Sequence, residues 1–281
     1  MRFQRAASYL LLVLVAFGAG SAAADDRDDV SVLALGDSVA FGYITQAGHQ
    51  YVNAANFIGY PEHLSGLLRV NAVNAACPGE TSGSLISATA PDNGCRAFRA
   101  AFPLHVAYGS TQLAFATAYL RHHREVRLVT LAIGANDLFL LEDACANDPT
   151  CIAAGLPAAL ATIEQNVGAI LAALRGAGFG GEIIVVNYYS LDYSDLAGTE
   201  TTALLNQAET AAAKAFGAVV ADVFTAFQKV ASNPLVGGKT CNAGLLNVDP
   251  ADQALCDVHP AQTGQRLMAL TVARVHHPWS W

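Results

Sequence analysis

The chain has 281 residues and carries 23 Asp and Glu against 15 Lys and Arg, which gives a formal charge of −8 at pH 7. This acidity argues against a nucleic-acid partner, because such proteins neutralise phosphates with a basic surface. It also weakens the case for electrostatic attraction to anionic membranes.

The first 24 residues have the layout of a secretory signal peptide. Arg2 and Arg5 form a short basic region, residues 9–17 are an apolar run, and residues 21–24 offer small side chains for cleavage. The apolar run is shorter than the about 20 residues that span a bilayer, so we expect cleavage rather than a permanent anchor. No cysteine follows the cleavage site, which argues against a lipoprotein.

Residues 25–281 are expected to form one domain, because no linker, repeat or low-complexity run divides them. Loss of the two leader arginines changes the formal charge from −8 to −10. No other stretch is expected to be long and apolar enough to cross a membrane, so we expect a soluble monomer without stable membrane insertion. The protein is expected to be secreted, either extracellular or periplasmic.

Strand and helix signals alternate along the chain. Apolar runs predict strands over residues 30–35, 69–73, 127–133, 182–186 and 218–223, and helices are predicted over 61–68, 111–123, 157–174, 202–216 and 262–275. The third helix is expected to begin at Pro157, since proline suits a first helical turn. The strand runs are continuously apolar, which is typical of strands buried on both faces of a parallel, doubly wound sheet. Residues 43–59 and 232–257 are expected to be long loops.

Six cysteines follow the leader, and an even number in an exported chain favours disulfides. They fall as three neighbouring pairs, so the simplest scheme is Cys77–Cys95, Cys145–Cys151 and Cys241–Cys256. A zinc site is the alternative. It is disfavoured because no Cys-x-x-Cys occurs and the His-His pairs at 122–123 and 276–277 lie apart from the cysteines. No feature indicates a metal or an organic cofactor.

Polar residues stand where three of the predicted strands end. Ser38 closes the run Gly36-Asp37-Ser38, at the carboxyl end of a strand, where open α/β sheets place their chemistry. Gly79 follows the second strand and Asn136 the third, and both could donate hydrogen bonds to a developing oxyanion. Alone, each has a plainer reading as a turn or a helix cap. His259, near the end of the chain, could be the base that a serine nucleophile needs, or a structural histidine.

In this order the motifs resemble those of the SGNH (GDSL-type) hydrolases, and the stretch 74–82 (NAACPGETS) is similar to secreted bacterial members. The resemblance covers nearly all of residues 25–281. It implies a flavodoxin-like three-layer α/β/α fold with a mainly parallel five-stranded sheet. It also implies Ser38 as nucleophile, His259 as base, and an oxyanion hole built from the N–H groups of Ser38 and Gly79 and the side chain of Asn136.

One position departs from the family pattern. The family's triad aspartate stands three residues before the histidine, where this chain has Cys256, and Asp257 lies only two before. We expect Asp257 to orient His259. A backbone carbonyl of the preceding loop, Asp249 and Asp252 are the alternatives.

The expected activity is carboxylic-ester hydrolysis through an acyl-enzyme on Ser38, as in an esterase or lipase acting on a small-molecule or lipid ester. Apolar residues after the nucleophile and after the third strand could wall an acyl pocket, although core packing explains any one of them equally well. These residues are Phe41, Tyr43, Tyr51, Phe57, Tyr60, Phe139, Leu140 and Leu141. The alternatives are a carbohydrate acetylesterase, a lysophospholipase, a thioesterase or a non-enzymatic extracellular binding protein. Ala40 breaks the Gly-x-Ser-x-Gly pattern of α/β-hydrolases.

Overall fold

The computed structural model describes residues 30–249, 251–252 and 255–277. The signal peptide predicted over 1–24 lies outside the described residues. At the centre is a parallel sheet in the order β2-β1-β3-β4-β5. Its strands are β1 (Ser31–Gly36), β2 (Asn71–Asn74), β3 (Val126–Ala132), β4 (Glu182–Val186) and β5 (Val219–Ala221). All five strands predicted from the apolar runs are present, with bounds shifted by a few residues.

Helices cover both faces of this sheet, and the predicted α/β/α layering is confirmed. In the described part of the chain they are α1 (Ser38–Phe41), α2 (Tyr60–Leu68), α3 (Ser82–Ile86), α4 (Cys95–Ala101), α5 (Gln112–His122), α6 (Ala135–Ala144), α7 (Pro149–Gly176), α8 (Leu196–Ala215), α9 (Val223–Ala231) and α10 (Gln262–Val275). Helices α2 and α9 each contact α10 and form one layer with it, whereas α3, α5, α6, α7 and α8 form the other. The strand order reverses between β1 and β3, so a crevice is expected at their carboxyl ends.

The two stretches predicted as loops contain short elements. Residues 43–59 include two 3₁₀ helices, Gly48–Val52 and Ala54–Asn56. Residues 232–257 include the strand β6 (Leu246–Val248). This strand pairs antiparallel with β7 (Cys256–Pro260), and the pair carries His259. The cysteines form the three disulfides of the neighbour scheme, Cys77–Cys95, Cys145–Cys151 and Cys241–Cys256.

Helix α7 corrects two expectations. It begins at Pro149 and not at Pro157, because Asp148 caps its first turn by accepting from the Cys151 N–H at 2.8 Å. Pro157 is an exposed interior residue of the helix. Helix α7 is also long and apolar enough to meet the criteria for a membrane span, which was not expected. In the carboxyl half of α7, apolar residues such as Ile163 and Val167 are buried in the core. Part of the apolar character of this helix is therefore that of a core helix.

Strands β1 and β3 approach most closely at Gly36. This glycine has φ +143°, and a Cβ built on it would lie 2.2 Å from the carbonyl oxygen of Ala132. Neither backbone can yield, since both belong to the central pair of strands. Only glycine fits this position without a shift of the sheet.

We therefore predict that Gly36→Ala destabilises the protein. Backbone strain alone costs on the order of 1–3 kcal/mol, so the clash added to it should lower the melting temperature by several degrees. Gly66→Ala is the matched control, because Gly66 is an exposed residue inside α2 with open space at its Cβ. The control should be neutral or stabilising by up to about 1 kcal/mol. Equal melting temperatures for Gly36→Ala and the parent would contradict the packing described for β1 and β3.

Candidate active site

Ser38 is the first residue of α1, directly after the end of β1. Asp37 caps this helix, and its Oδ1 accepts from the Val39 N–H at 2.9 Å. The N–H groups of a first helical turn have no acceptor inside the helix, so the Ser38 N–H is available to an external oxygen. Ser38 is 9% exposed and lines a cavity. The Ser38 hydroxyl was expected at the carboxyl end of the first strand, and in the structure it follows the carboxyl end of β1.

His259 contacts both Ser38 and Asp257. The Nε2 of His259 lies 3.0 Å from the Ser38 Oγ, and its Nδ1 lies 2.8 and 2.9 Å from the two carboxylate oxygens of Asp257. A spacing of two is sufficient because both residues belong to β7, and alternate residues of a strand point to the same face. The Asp249 carboxylate instead accepts from the Ala251 N–H at 2.7 Å.

The surroundings of Asp257 favour its charged form. Burial alone would raise the pKa of this carboxyl, but hydrogen bonds from His259 and from Thr45 outweigh burial and hold the pKa below its usual value. The Thr45 N–H donates to Asp257 Oδ2 at 3.3 Å. Asp257 is therefore a carboxylate suited to face an imidazole N–H.

Gly79 and Asn136 lie on the same cavity as Ser38 and His259. Gly79 has φ +80°, and a Cβ there would lie 2.1 Å from the carbonyl oxygen of Asn93, so this turn also requires glycine. Asn136 is the second residue of α6 and is 5% exposed. The structure thus brings together all five residues that the sequence singled out for chemistry.

The side chain of Asn136 is held from three directions. Its Nδ2 donates to the carbonyl oxygen of Glu80 at 3.0 Å and to Asp37 Oδ2 at 3.3 Å, and its Oδ1 accepts from the Asn93 Nδ2 at 2.9 Å. Asn93 was not among the residues predicted from the sequence. The one available signal was its position two residues before Cys95, in the loop that the disulfide closes.

A buried tyrosine donates a hydrogen bond to Asp37. The Tyr188 hydroxyl, just after β4, donates to Asp37 Oδ2 at 2.5 Å. Burial raises the pKa of Asp37 to about 6, against the lowering effect of the hydrogen bonds from Tyr188 and Val39. Asp37 therefore joins the nucleophile helix to Asn136 and to the end of β4. Tyr188 was not predicted either, because a tyrosine that follows an apolar run has the same sequence signal in a functional site as in the hydrophobic core.

The cavity has a volume of about 630 Å³ and two kinds of wall. Near His259 it is bounded by aromatic rings, with Tyr43 packed edge-on against the imidazole at 4.9 Å between ring centroids. Apolar residues of α6 and α8 also line it, among them Leu138, Phe139 and Leu205. Four residues with carboxyl side chains also line it, namely Asp37, Glu142, Asp192 and Asp195.

The expectation for the aromatic residues after the nucleophile is partly wrong. Tyr43 lines the cavity, and Tyr51 stacks on Tyr43 with ring centroids 5.6 Å apart. Phe41, Phe57 and Tyr60 are buried at 0 or 1% exposure and pack into the hydrophobic core instead. Of the three apolar residues after Asn136 that were considered for the pocket, the cavity lining includes Phe139.

Among the residues that the structure describes, one group of metal-ligand residue types lies near the site. Cys77, Cys95 and Glu80 bring a potential ligand atom each within 4.8 Å of one another. Both sulfurs are joined in the Cys77–Cys95 disulfide, and metals bind the thiolate form, so this cluster as it stands cannot supply two thiolate ligands.

Comparison with known proteins identifies the class. A sequence model of the GDSL-like lipase/acylhydrolase family matches residues 34–267, so the chain belongs to that family and is a carboxylic-ester hydrolase. Similar solved structures include a lipase from a goat rumen metagenome (TM-score 0.57, 15% identity, 87% of this chain and 96% of that one). They also include an acetylxylan esterase from Geobacillus stearothermophilus (0.53, 16%, 88% and 94%).

A GDSL-like lipase described as putative, from Parabacteroides merdae, has a TM-score of 0.52 at 14% identity, with 88% of this chain and 95% of that one covered. At such identities the likeness shows the fold. A comparison with curated proteins finds no match.

Behind the site, α8 carries a buried carboxyl that the sequence did not reveal. Glu209 is 0% exposed, and neither of its oxygens has a hydrogen-bond partner among the described residues. It lies against Gly134, at the start of α6, where a Cβ would be 3.2 Å from Glu209 Oε1. Burial, followed by the nearby charges of Asp37 and Asp137, raises the pKa of Glu209 well above its usual value.

We predict that this carboxyl makes the protein less stable as pH rises. Above pH 4.5 the unfolded chain loses the Glu209 proton while the folded protein keeps it, so the free energy of unfolding falls with increasing pH. Glu209→Gln is neutral at every pH, and its melting temperature relative to the parent should increase between pH 4 and pH 8. Glu200→Gln, an exposed change on the same helix, is the control. A difference that stays constant with pH would show that Glu209 ionises normally.

Proposed function

We propose that this ester hydrolase uses Ser38 as nucleophile, His259 as general base and Asp257 as the orienting carboxylate. The observation that carries the proposal is the unbroken line of contacts from Asp257 to His259 Nδ1, and from His259 Nε2 to the Ser38 Oγ at 3.0 Å. A serine hydroxyl is a weak nucleophile until an adjacent base accepts its proton, and here the base is in place.

In the first step the Ser38 Oγ attacks the ester carbonyl carbon and its proton moves to His259 Nε2. Negative charge develops on the carbonyl oxygen, where the N–H groups of Ser38 and Gly79 and the amide of Asn136 stabilise it. For this the Asn136 Nδ2 turns to the oxyanion the hydrogen that it otherwise donates to Asp37 Oδ2 at 3.3 Å. The bond to the alcohol then breaks, and the alcohol leaves with the proton from His259. In the second step His259 deprotonates a water molecule, which attacks the acyl-enzyme and releases the acid and Ser38.

Asp257 acts through the imidazole. Its carboxylate faces Nδ1, so the proton of neutral His259 stays on Nδ1 and Nε2 is free to accept from Ser38. The same charge stabilises the imidazolium that forms during attack. The backbone N–H of Thr45 holds the carboxylate in this orientation.

The substrate is proposed to be a neutral small-molecule or lipid ester with an acyl chain longer than acetyl. The cavity of about 630 Å³ has the size of a small-molecule site, and apolar side chains of α6 and α8 are part of its lining. The carboxylates of Glu142, Asp192 and Asp195 would repel an anionic substrate. A carbohydrate acetylesterase is the second candidate, because one similar structure is an acetylxylan esterase.

The protein is further proposed to be secreted and monomeric, with no stable membrane insertion. Three disulfides are compatible with an oxidising compartment. The leader-like residues 1–24 support export.

A series of p-nitrophenyl esters from acetate to palmitate tests the proposal. The parent should hydrolyse members of the series, with higher kcat/KM for chains longer than acetate, and Ser38→Ala should lose this activity. Activity confined to acetate would favour the acetylesterase. Full activity in Ser38→Ala would exclude Ser38 as the nucleophile.

We predict that Asp257→Asn lowers kcat by on the order of 10³–10⁴, because the amide no longer stabilises the imidazolium or fixes its tautomer. Asp249→Asn is the matched control, since the Asp249 carboxylate bonds to the Ala251 N–H and not to His259. Its kcat should equal that of the parent. Steady-state kinetics on one ester would decide between them, and a larger loss in Asp249→Asn than in Asp257→Asn would refute the assignment.

A further inference from the structure

An asparagine can stabilise an oxyanion only in one of its two amide orientations. The Nδ2 must face the developing charge, because the Oδ1 would repel it. The two orientations have nearly the same shape, so hydrogen-bond partners decide between them. For Asn136 the deciding partners are therefore part of how the site works, and the inference drawn from them rests on the proposed function.

Asn93 supplies the donor that distinguishes the two ends of this amide. Its Nδ2 donates to Asn136 Oδ1 at 2.9 Å, while the Glu80 carbonyl oxygen accepts from Asn136 Nδ2 at 3.0 Å. If Asn136 were rotated, its Oδ1 would face the Glu80 carbonyl oxygen and its Nδ2 would face the Asn93 amide hydrogens. The contacts with the Glu80 carbonyl oxygen and with Asp37 Oδ2 would then be repulsive, and so would the contact with the Asn93 amide in its present orientation. These partners together select the orientation that the proposed chemistry requires.

Several contacts fix the segment that carries Asn93. The backbone N–H of Asn93 donates to the Gly79 carbonyl oxygen at 2.8 Å. The absence of a Cβ at Gly79 leaves room for the Asn93 carbonyl, and the Cys77–Cys95 disulfide closes the loop on both sides of this contact. One disulfide-bonded loop therefore presents Gly79 to the oxyanion position and Asn93 to Asn136.

We propose that Asn93 is a positioning residue that fixes the amide of Asn136 for oxyanion stabilisation. Asn93 lines the cavity beside Asn136, and in this role it acts through its hydrogen bond to the Asn136 amide. Replacing it should therefore lower kcat with little effect on KM, because the amide matters most when charge develops in the transition state. Loss of a complete oxyanion donor costs about 10²–10³ in kcat, which sets the upper limit of the effect.

The test compares Asn93→Asp and Asn93→Ala with the parent on one p-nitrophenyl ester. Asn93→Asp places a carboxylate oxygen against Asn136 Oδ1 and should reduce kcat by more than about 10-fold, toward the limit for a lost donor. Asn93→Ala removes the donor without reversing the contact, so its loss should be smaller. Ala88→Asp is the charge control, since it adds a carboxylate at an exposed position of the same loop and should leave kcat unchanged.

A double-mutant cycle with Asn136→Ala distinguishes positioning from a general structural role. In the Asn136→Ala background, Asn93→Asp should have almost no further effect on kcat, whereas independent roles would give additive losses. Melting temperatures and thiol counts would show that each variant is folded with its disulfides formed. Parent-like kcat in both Asn93 variants, or additive losses in the cycle, would overturn the proposal.

The failure of the proposed function would be recognised separately. If Ser38→Ala were as active as the parent, the serine mechanism itself would be wrong. A neutron-diffraction structure of Asn93→Asp then tests the positioning role without any activity, because deuterium atoms identify the nitrogen of the Asn136 amide, which X-rays do not distinguish from the oxygen. The proposal expects Asn136 Nδ2 to leave the Glu80 carbonyl oxygen, and an unchanged contact would overturn it.

Discussion

The parallel pairing of β1 with β3 is the constraint on which the site depends. Gly36 stands opposite Ala132 in this register, and the Asp37 N–H continues the pairing by donating to the Ala132 carbonyl oxygen at 3.2 Å. Both strands end at this level, so Ser38 and Asn136 leave the sheet at the same edge. The Asp37 carboxylate then contacts both segments. A doubly wound sheet places its crevice at this reversal of strand order, and the cavity lies there.

The base must be brought from a position 221 residues away in the chain. Several contacts share this task. The Cys241–Cys256 disulfide and the pairing of β6 with β7 hold the strand that carries His259. Beyond it, the buried side chain of Gln265 in α10 accepts from the Tyr60 N–H at 2.8 Å and donates to the Val39 carbonyl oxygen at 3.0 Å. The helix after the base is thereby fastened to the helix that carries Ser38.

The sequence predicted the layers well, because buried parallel strands are continuous apolar runs. This signal can be recognised from the local sequence without knowledge of tertiary contacts. The prediction was less accurate where two local signals competed. At α7, Pro157 suggested a helix start, but the helix begins at Pro149, directly after the cap at Asp148. Site residues with motif spacing could be named in advance. Asn93 and Glu209 could not, because an amide in a loop and a glutamate in a helix become informative only when tertiary packing decides what each one faces.

The central claim is that Ser38 is made nucleophilic by His259, and reaction with a fluorophosphonate probe tests it most directly. Intact mass and peptide mapping should find one adduct, on Ser38, in the folded parent, and His259→Ala should react far more slowly. Probe attached elsewhere, no adduct on a folded parent, or an equal rate in His259→Ala would contradict the account.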